Sequence, residues 1–135
     1  MKAEVRSQPA APIIVRTYGH RFEVDGKGRR GPTPLALLLS SLGGCHVSVL
    51  THILRIMRMP WKELELRLEG EVTREDPKTF SSIHLAYEVR GEFDEKKARR
   101  ALELAGRYCA VSVLLERAGV TLTHELIVSR ASDDE

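Results

Sequence analysis

From Gly31 to Leu54 the chain carries no Asp, Glu, Lys or Arg, and this uncharged run limits what it can become. It opens as Gly31-Pro32-Thr33-Pro34-Leu35-Ala36-Leu37 and passes through Ser40-Ser41-Leu42-Gly43-Gly44-Cys45-His46. A threonine hydroxyl accepts from the free amides of a first helical turn, and proline fits the first helical position, where no N–H is needed. Thr33 and Pro34 therefore start a helix, and a helix that is apolar nearly all round must be buried. It should stop before Pro60, because the residue preceding a proline disfavours helical dihedrals. Gly43 and Gly44 cost such a helix about 1 kcal/mol each relative to alanine. That loss is tolerable where another backbone approaches closely or a reactive side chain needs room.

About two dozen apolar residues can also span a bilayer. Here Ser40, Ser41, the Gly pair, His46, Thr51 and His52 interrupt the hydrophobicity, which favours a core helix over a membrane span. Cys45 then has two readings, an inert small hydrophobe or a thiol site inside a core. The run alone does not separate them.

The 135 residues suffice for one domain with a sizeable core. With 21 basic against 19 acidic residues and few aromatics, the chain lacks the basic excess of a nucleic-acid binder. Met1-Lys2-Ala3-Glu4-Val5-Arg6 has no apolar leader core, so a cytoplasmic location is expected. Two cysteines in such a compartment seldom form a structural disulfide.

Up to about Pro12 the chain reads as a loose arm. Ile13–Thr17 and His20–Val24 read as two short strands around a Tyr18-Gly19 turn. Asp25–Gly31 is a basic, glycine-rich loop. After the long helix, Leu64, Leu66, Leu68 and Val72 alternate with Glu63, Glu65, Arg67, Glu69 and Glu71, the pattern of a half-buried strand. Ile83, Leu85, Tyr87 and Val89 repeat it beyond the Glu75–Lys78 turn, giving an antiparallel hairpin. Asp94 caps a second helix that runs to about Arg107 and buries Ala98, Ala101, Leu102 and Ala105. Cys109 opens a shorter helix ending at Gly119. Val120, Leu122, His124, Leu126 and Val128 form a last strand, and residues 130–135 a solvated, frayed tail. Strand runs segregated from helices imply an α+β fold with a mainly antiparallel sheet packed on the long central helix. That helix is too apolar for one sheet to cover, so a second subunit is expected against it.

Cys45 and Cys109 are far apart in sequence, and no local motif links them. Cys109 follows Arg107-Tyr108 and opens a helix, whose positive end favours a thiolate. Cys45 follows a helix start preceded by Arg29-Arg30. The segments Gly31-Pro32-Thr33-Pro34-Leu35, Leu42-Gly43-Gly44-Cys45 and Tyr108-Cys109-Ala110-Val111-Ser112 resemble the OsmC/Ohr family, named for the osmotically inducible protein C and the organic hydroperoxide resistance protein. The likeness extends from about Gly31 to Val128.

The resemblance implies one OsmC-like domain over residues 1–135 and an intertwined homodimer. It further implies a thiol-dependent peroxidase in which Cys45 attacks an organic hydroperoxide and Cys109 resolves the sulfenic acid as a disulfide. An external dithiol then reduces that disulfide, with no cofactor or metal and no nucleic-acid or membrane partner. Arg29 or Arg30 would stabilise the thiolate, in competition with Arg16 and Arg21, and Leu42, Gly44 and Tyr108 would line the substrate. Two departures stand out. Peroxidase members carry a glutamate early in the helix where this chain reads Pro34-Leu35-Ala36-Leu37, and Ala110 replaces their proline after the second cysteine.

His46 is about 100° round the helix from Cys45, poorly placed to share its proton, and His52 is about 10 Å along the axis. With His20, His84 and His124 equally scattered, a zinc site is disfavoured. The acidic row Glu63, Glu65, Glu69 and Glu71, like Arg99-Arg100, reads as a solvated face. The second functional class is a non-catalytic dimer that binds a small apolar or thiol-reactive ligand. The missing glutamate favours it, and the presence of both cysteines favours the enzyme.

Overall fold

A computed structural model describes residues 1–130, so the tail expected at the C-terminus lies outside the described residues, apart from Arg130. Two compact units divide the chain, Met1–Ser40 and Ser41–Glu135, with one long helix continuing across the division.

The first unit is built on strands β1 (Glu4–Arg6), β2 (Ile13–Thr17) and β3 (His20–Val24), all antiparallel in the order β1-β2-β3. Thr17 pairs with His20, so Tyr18 and Gly19 form the two-residue turn, both at positive φ (47° and 76°). Such a turn matches the twist of the flanking strands. The arm read as loose contains β1, an exposed edge strand whose Val5 pairs with Val15. A three-residue strand leaves no periodicity to detect. After the basic loop, Thr33 Oγ1 accepts from the Ala36 amide at 3.1 Å and caps helix α1 (Pro34–Ile56), as expected.

The second unit holds the rest of α1, strands β4 (Trp61–Val72) and β5 (Phe80–Gly91), helices α2 (Glu95–Tyr108) and α3 (Ala110–Arg117), and strand β6 (Thr121–Ser129). β4 and β5 form the expected antiparallel hairpin, and β6 adds to β5 in parallel. Parallel neighbours need a long crossover, which α2 and α3 supply. Ile83, Leu85, Tyr87 and Val89 on β5 are buried, as are Ala98, Ala101, Leu102 and Ala105 on α2. Val72, expected inside, is 47% exposed; it is the last residue of β4, at the point where an extra residue on β5 shifts the register.

Helix α1 buries one row within the chain, Leu42, His46, Leu50 and Leu54, at steps of four residues, together with Gly43. A Cβ on Gly43 would lie 2.8 Å from Leu68 Cδ1, so glycine is what lets the helix meet β4. A Cβ on Gly44 would meet nothing within 4 Å among the described residues. By length and composition α1 could cross a membrane, but its buried row belongs to the core of this unit.

Candidate active site

The fold brings the two cysteines together. Cys109 is at once the last residue of α2's hydrogen bonding and the N-cap of α3, with φ −81° and ψ 110°. Its N–H donates to Ala105 O at 2.9 Å and its carbonyl accepts from Val113 at 3.1 Å, so the chain turns from one helix into the next at the thiol. Cys109 is fully buried, Cys45 half-buried on α1, and both are free thiols. Their side chains lie beside each other, close enough for Cys45 to raise the pKa of Cys109.

The position of Cys109 does not lower its pKa as a helix start by itself would. Burial is the largest effect and raises it, and the neighbouring Cys45 raises it further. The Ser112 hydroxyl and the Ser112 N–H, which reaches Sγ at 3.4 Å, pull the other way without reversing the direction. Burial and the neighbouring Cys45 therefore favour the protonated form of Cys109. Desolvation of a buried thiolate outweighs two donors and one short helix.

His46 does not face Cys45, in keeping with its place on the helix. Its Nε2 lies 2.6 Å from Ser112 Oγ, and both residues are buried. Its ring is tilted against Tyr87 and His124, with centroids 5.9 and 5.4 Å away. Burial, then the charge of His124, lowers its pKa to about 4, so the imidazole is neutral. The Tyr87 hydroxyl is buried with no hydrogen-bond partner among the described residues, and burial together with the two thiols keeps it protonated. By sequence alone His46 is set aside as a proton partner for Cys45, and Ser112 has no role of its own. Their pairing spans 66 positions, and the one available signal was a polar residue on the buried row of an apolar helix.

The other expected site residues are dispersed. Leu42 is fully buried in the core, whereas Gly44 is exposed. Tyr108 is 73% exposed and, with Val49, His52, Ile53 and Ile56, lines a groove of about 700 Å³ along α1 beyond Cys45. Arg29 and Arg30 belong to the loop of the first unit, where their amides and that of Lys27 donate to the Asp25 carboxylate. Those bonds hold Asp25 below the usual carboxylate range. His84 bonds Thr123 Oγ1 at 2.7 Å and Glu125 Oε2 at 2.9 Å on the sheet surface. Among the described residues no group of three or more His, Cys, Asp or Glu converges as metal ligands would.

Two neighbouring thiols, one half-buried and the other enclosed, can pass to a disulfide when a two-electron oxidant such as a peroxide first converts the accessible one to a sulfenic acid. Residues 25–125 match the family model for OsmC-like protein. Protein YhfA of Escherichia coli K12 is 34% identical over 116 residues, covering 84% of this chain and 86% of its own length. A crystal structure of a hypothetical protein from Aquifex aeolicus VF5 superposes with a TM-score of 0.86 at 25% identity, covering 96% of each chain. The organic hydroperoxide resistance protein OhrB of Bacillus subtilis shares the fold, with a TM-score of 0.70 at 18% identity over 93% of this chain and 96% of its own.

Proposed function

From a chain that belongs to the OsmC-like family, we propose a thiol-dependent peroxidase that reduces organic hydroperoxides. The Cys45 sulfur attacks the hydroperoxide, the O–O bond breaks, an alcohol leaves, and Cys45 becomes a sulfenic acid. Cys109 then displaces the sulfenic hydroxyl as water, forming a disulfide that shields the sulfur from further oxidation. An external dithiol restores both thiols by exchange. The observation that carries this reading is the contact between two reduced cysteines in an OsmC-like fold. The substrate class is supported by the name of OhrB, which shares the fold.

In this reading the protein is a cytoplasmic homodimer, and the whole chain is one OsmC-like domain. Support for the dimer comes from Ile56 and Tyr108, large hydrophobic residues left 67% and 73% exposed in a groove that Val49 and Ile53 line together with Ser48, Thr51, His52 and Arg55. Gly44, open on the helix surface, fits the close approach of a second backbone or of substrate to Cys45. The cation that a reacting thiolate needs is assigned to Arg29 or Arg30.

One observation favours a second reading, a non-catalytic dimer binding a small apolar or thiol-reactive ligand: the first turn of α1 holds no acidic residue. The deciding measurement is consumption of cumene hydroperoxide and hydrogen peroxide in the presence of a dithiol. Wild type should turn over the organic substrate faster, and Cys45→Ser should abolish turnover. Arg29→Ala or Arg30→Ala should slow it if that arginine serves the thiolate. No turnover by fully reduced wild type would leave the binding reading.

A further inference from the structure

The buried pair His46 and Ser112 has no part in the chemistry so far, yet it is joined to the second thiol. Ser112 is 1% exposed, its N–H reaches Cys109 Sγ at 3.4 Å, and its hydroxyl favours the Cys109 thiolate. On its other side Ser112 Oγ meets His46 Nε2 at 2.6 Å. A continuous line of contacts therefore runs from His46 through Ser112 and Cys109 to Cys45, all within the second unit.

The surroundings assign the tautomer. His46 Nδ1 is buried and has no hydrogen-bond partner among the described residues. A buried N–H with no acceptor is rarer than a lone pair with no donor, so the proton sits on Nε2 and is donated to Ser112 Oγ. The Ser112 hydroxyl hydrogen is then free to point at Cys109 Sγ. The neutral ring is too weak a base to take a proton from a thiol that holds its own tightly. What it can do is fix a donor.

We propose that His46 and Ser112 are positioning residues for the resolving step, with His46 aiming the Ser112 hydroxyl at Cys109 so that two donors meet the sulfur as it becomes a thiolate. The oxidant that makes the Cys45 sulfenic acid rests on the peroxidase reading, whereas the attack of Cys109 on a Cys45 sulfur that carries a leaving group does not. In the step, the Cys109 sulfur forms the S–S bond and the Cys45 S–O bond breaks. The departing hydroxide takes up the proton that Cys109 shed, giving water. The other groups around the line are Cys45 from α1, Tyr87 from β5 and His124 from β6, with Glu116 of α3 and His84 of β5 acting on His124.

The test uses no peroxide. Dithiobis-nitrobenzoate reacts with Cys45 and releases one coloured thiolate, and attack by Cys109 on the resulting mixed disulfide releases a second. The ratio of the second rate to the first, followed against pH, reads the nucleophilicity of Cys109. A lost hydrogen bond to a charged sulfur should slow the second release about tenfold at neutral pH in Ser112→Ala, and move its pH profile up by about one unit. His46→Phe should act in the same direction, and Ser112→Thr and His46→Gln, which restore a donor, should recover the ratio. Circular dichroism establishes that each variant is folded, and the two restoring variants keep the comparison if one deletion is not. The proposal is overturned if folded Ser112→Ala and His46→Phe keep the wild-type ratio and profile, or if wild type gives no second release. A wild type that gives both releases yet consumes no hydroperoxide would overturn the peroxidase reading alone.

Discussion

His46 is the residue whose burial has the clearest consequence for the folded state. Its pKa falls from 6.5 to about 4 because the enclosed ring resists charge, with His124 adding to the effect. In the unfolded chain the ring takes up a proton below about pH 6.5, and in the folded chain only below about pH 4. Between those values the unfolded state binds more protons, so stability is complete above the window and is lost as pH falls through it. The loss from pH 7 to pH 5 should be on the order of 2 kcal/mol. His124, also lowered chiefly by burial, contributes in the same direction. Urea unfolding at the two pH values checks this, with His46→Gln giving a flatter dependence. An unchanged wild-type midpoint would mean that the ring is not held neutral by burial.

At the level of elements, α1 and α3 end in the same way with different residues. The Met59 N–H reaches Leu54 O at 2.9 Å and the Arg58 N–H reaches Arg55 O at 3.1 Å, while Val120 reaches Leu115 O and Gly119 reaches Glu116 O at 3.0 Å. This pattern requires a left-handed residue just past the helix. Gly119 supplies it at φ 89°, but α1 uses Arg58 at φ 55°. A non-glycine residue in that conformation costs about 1 kcal/mol or more. Arg58→Gly should therefore stabilise the protein by about 0.5–1 kcal/mol, the added freedom of the unfolded chain offsetting part of the relief. Gly119→Ala should destabilise it by about 1 kcal/mol. Thermal unfolding of the two variants measures both signs. A lower melting temperature for Arg58→Gly would show that the arginine side chain contributes more than its backbone costs.

For the molecule as a whole, the unfinished element is α1. It is long and apolar enough to cross a membrane, yet most of its apolar length is left unburied within the chain. Core packing accounts for the Leu42-His46-Leu50-Leu54 row, and the groove beside Ile53, Ile56 and Tyr108 is left for the proposed second copy. Ile56→Glu should then shift the protein from dimer to monomer in sedimentation. Burying an unpaired carboxylate costs several kcal/mol, which an interface of ordinary strength does not withstand. A wild type that sediments as a monomer would remove this assignment.

Local chemistry made much of this protein legible from its residues. The Thr33 and Asp94 caps, the alternation along β5, the alanine face of α2 and the left-handed Gly119 all depend on neighbours within a few positions. So does the position of Cys109 at a helix start. Three kinds of fact lay beyond that range. Edge strand β1 was too short to carry a period, the bulge at Val72 arose from its partner strand, and the parallel β5–β6 pairing required both helices to be in place. The thiol site divides along the same line. Cys45 and Cys109 could be singled out as cysteines, but their contact, the raised pKa of Cys109 and the link from His46 through Ser112 come from side chains dozens of positions apart. Hydrogen bonds and desolvation depend on distance in space, and a sequence records only distance along the chain.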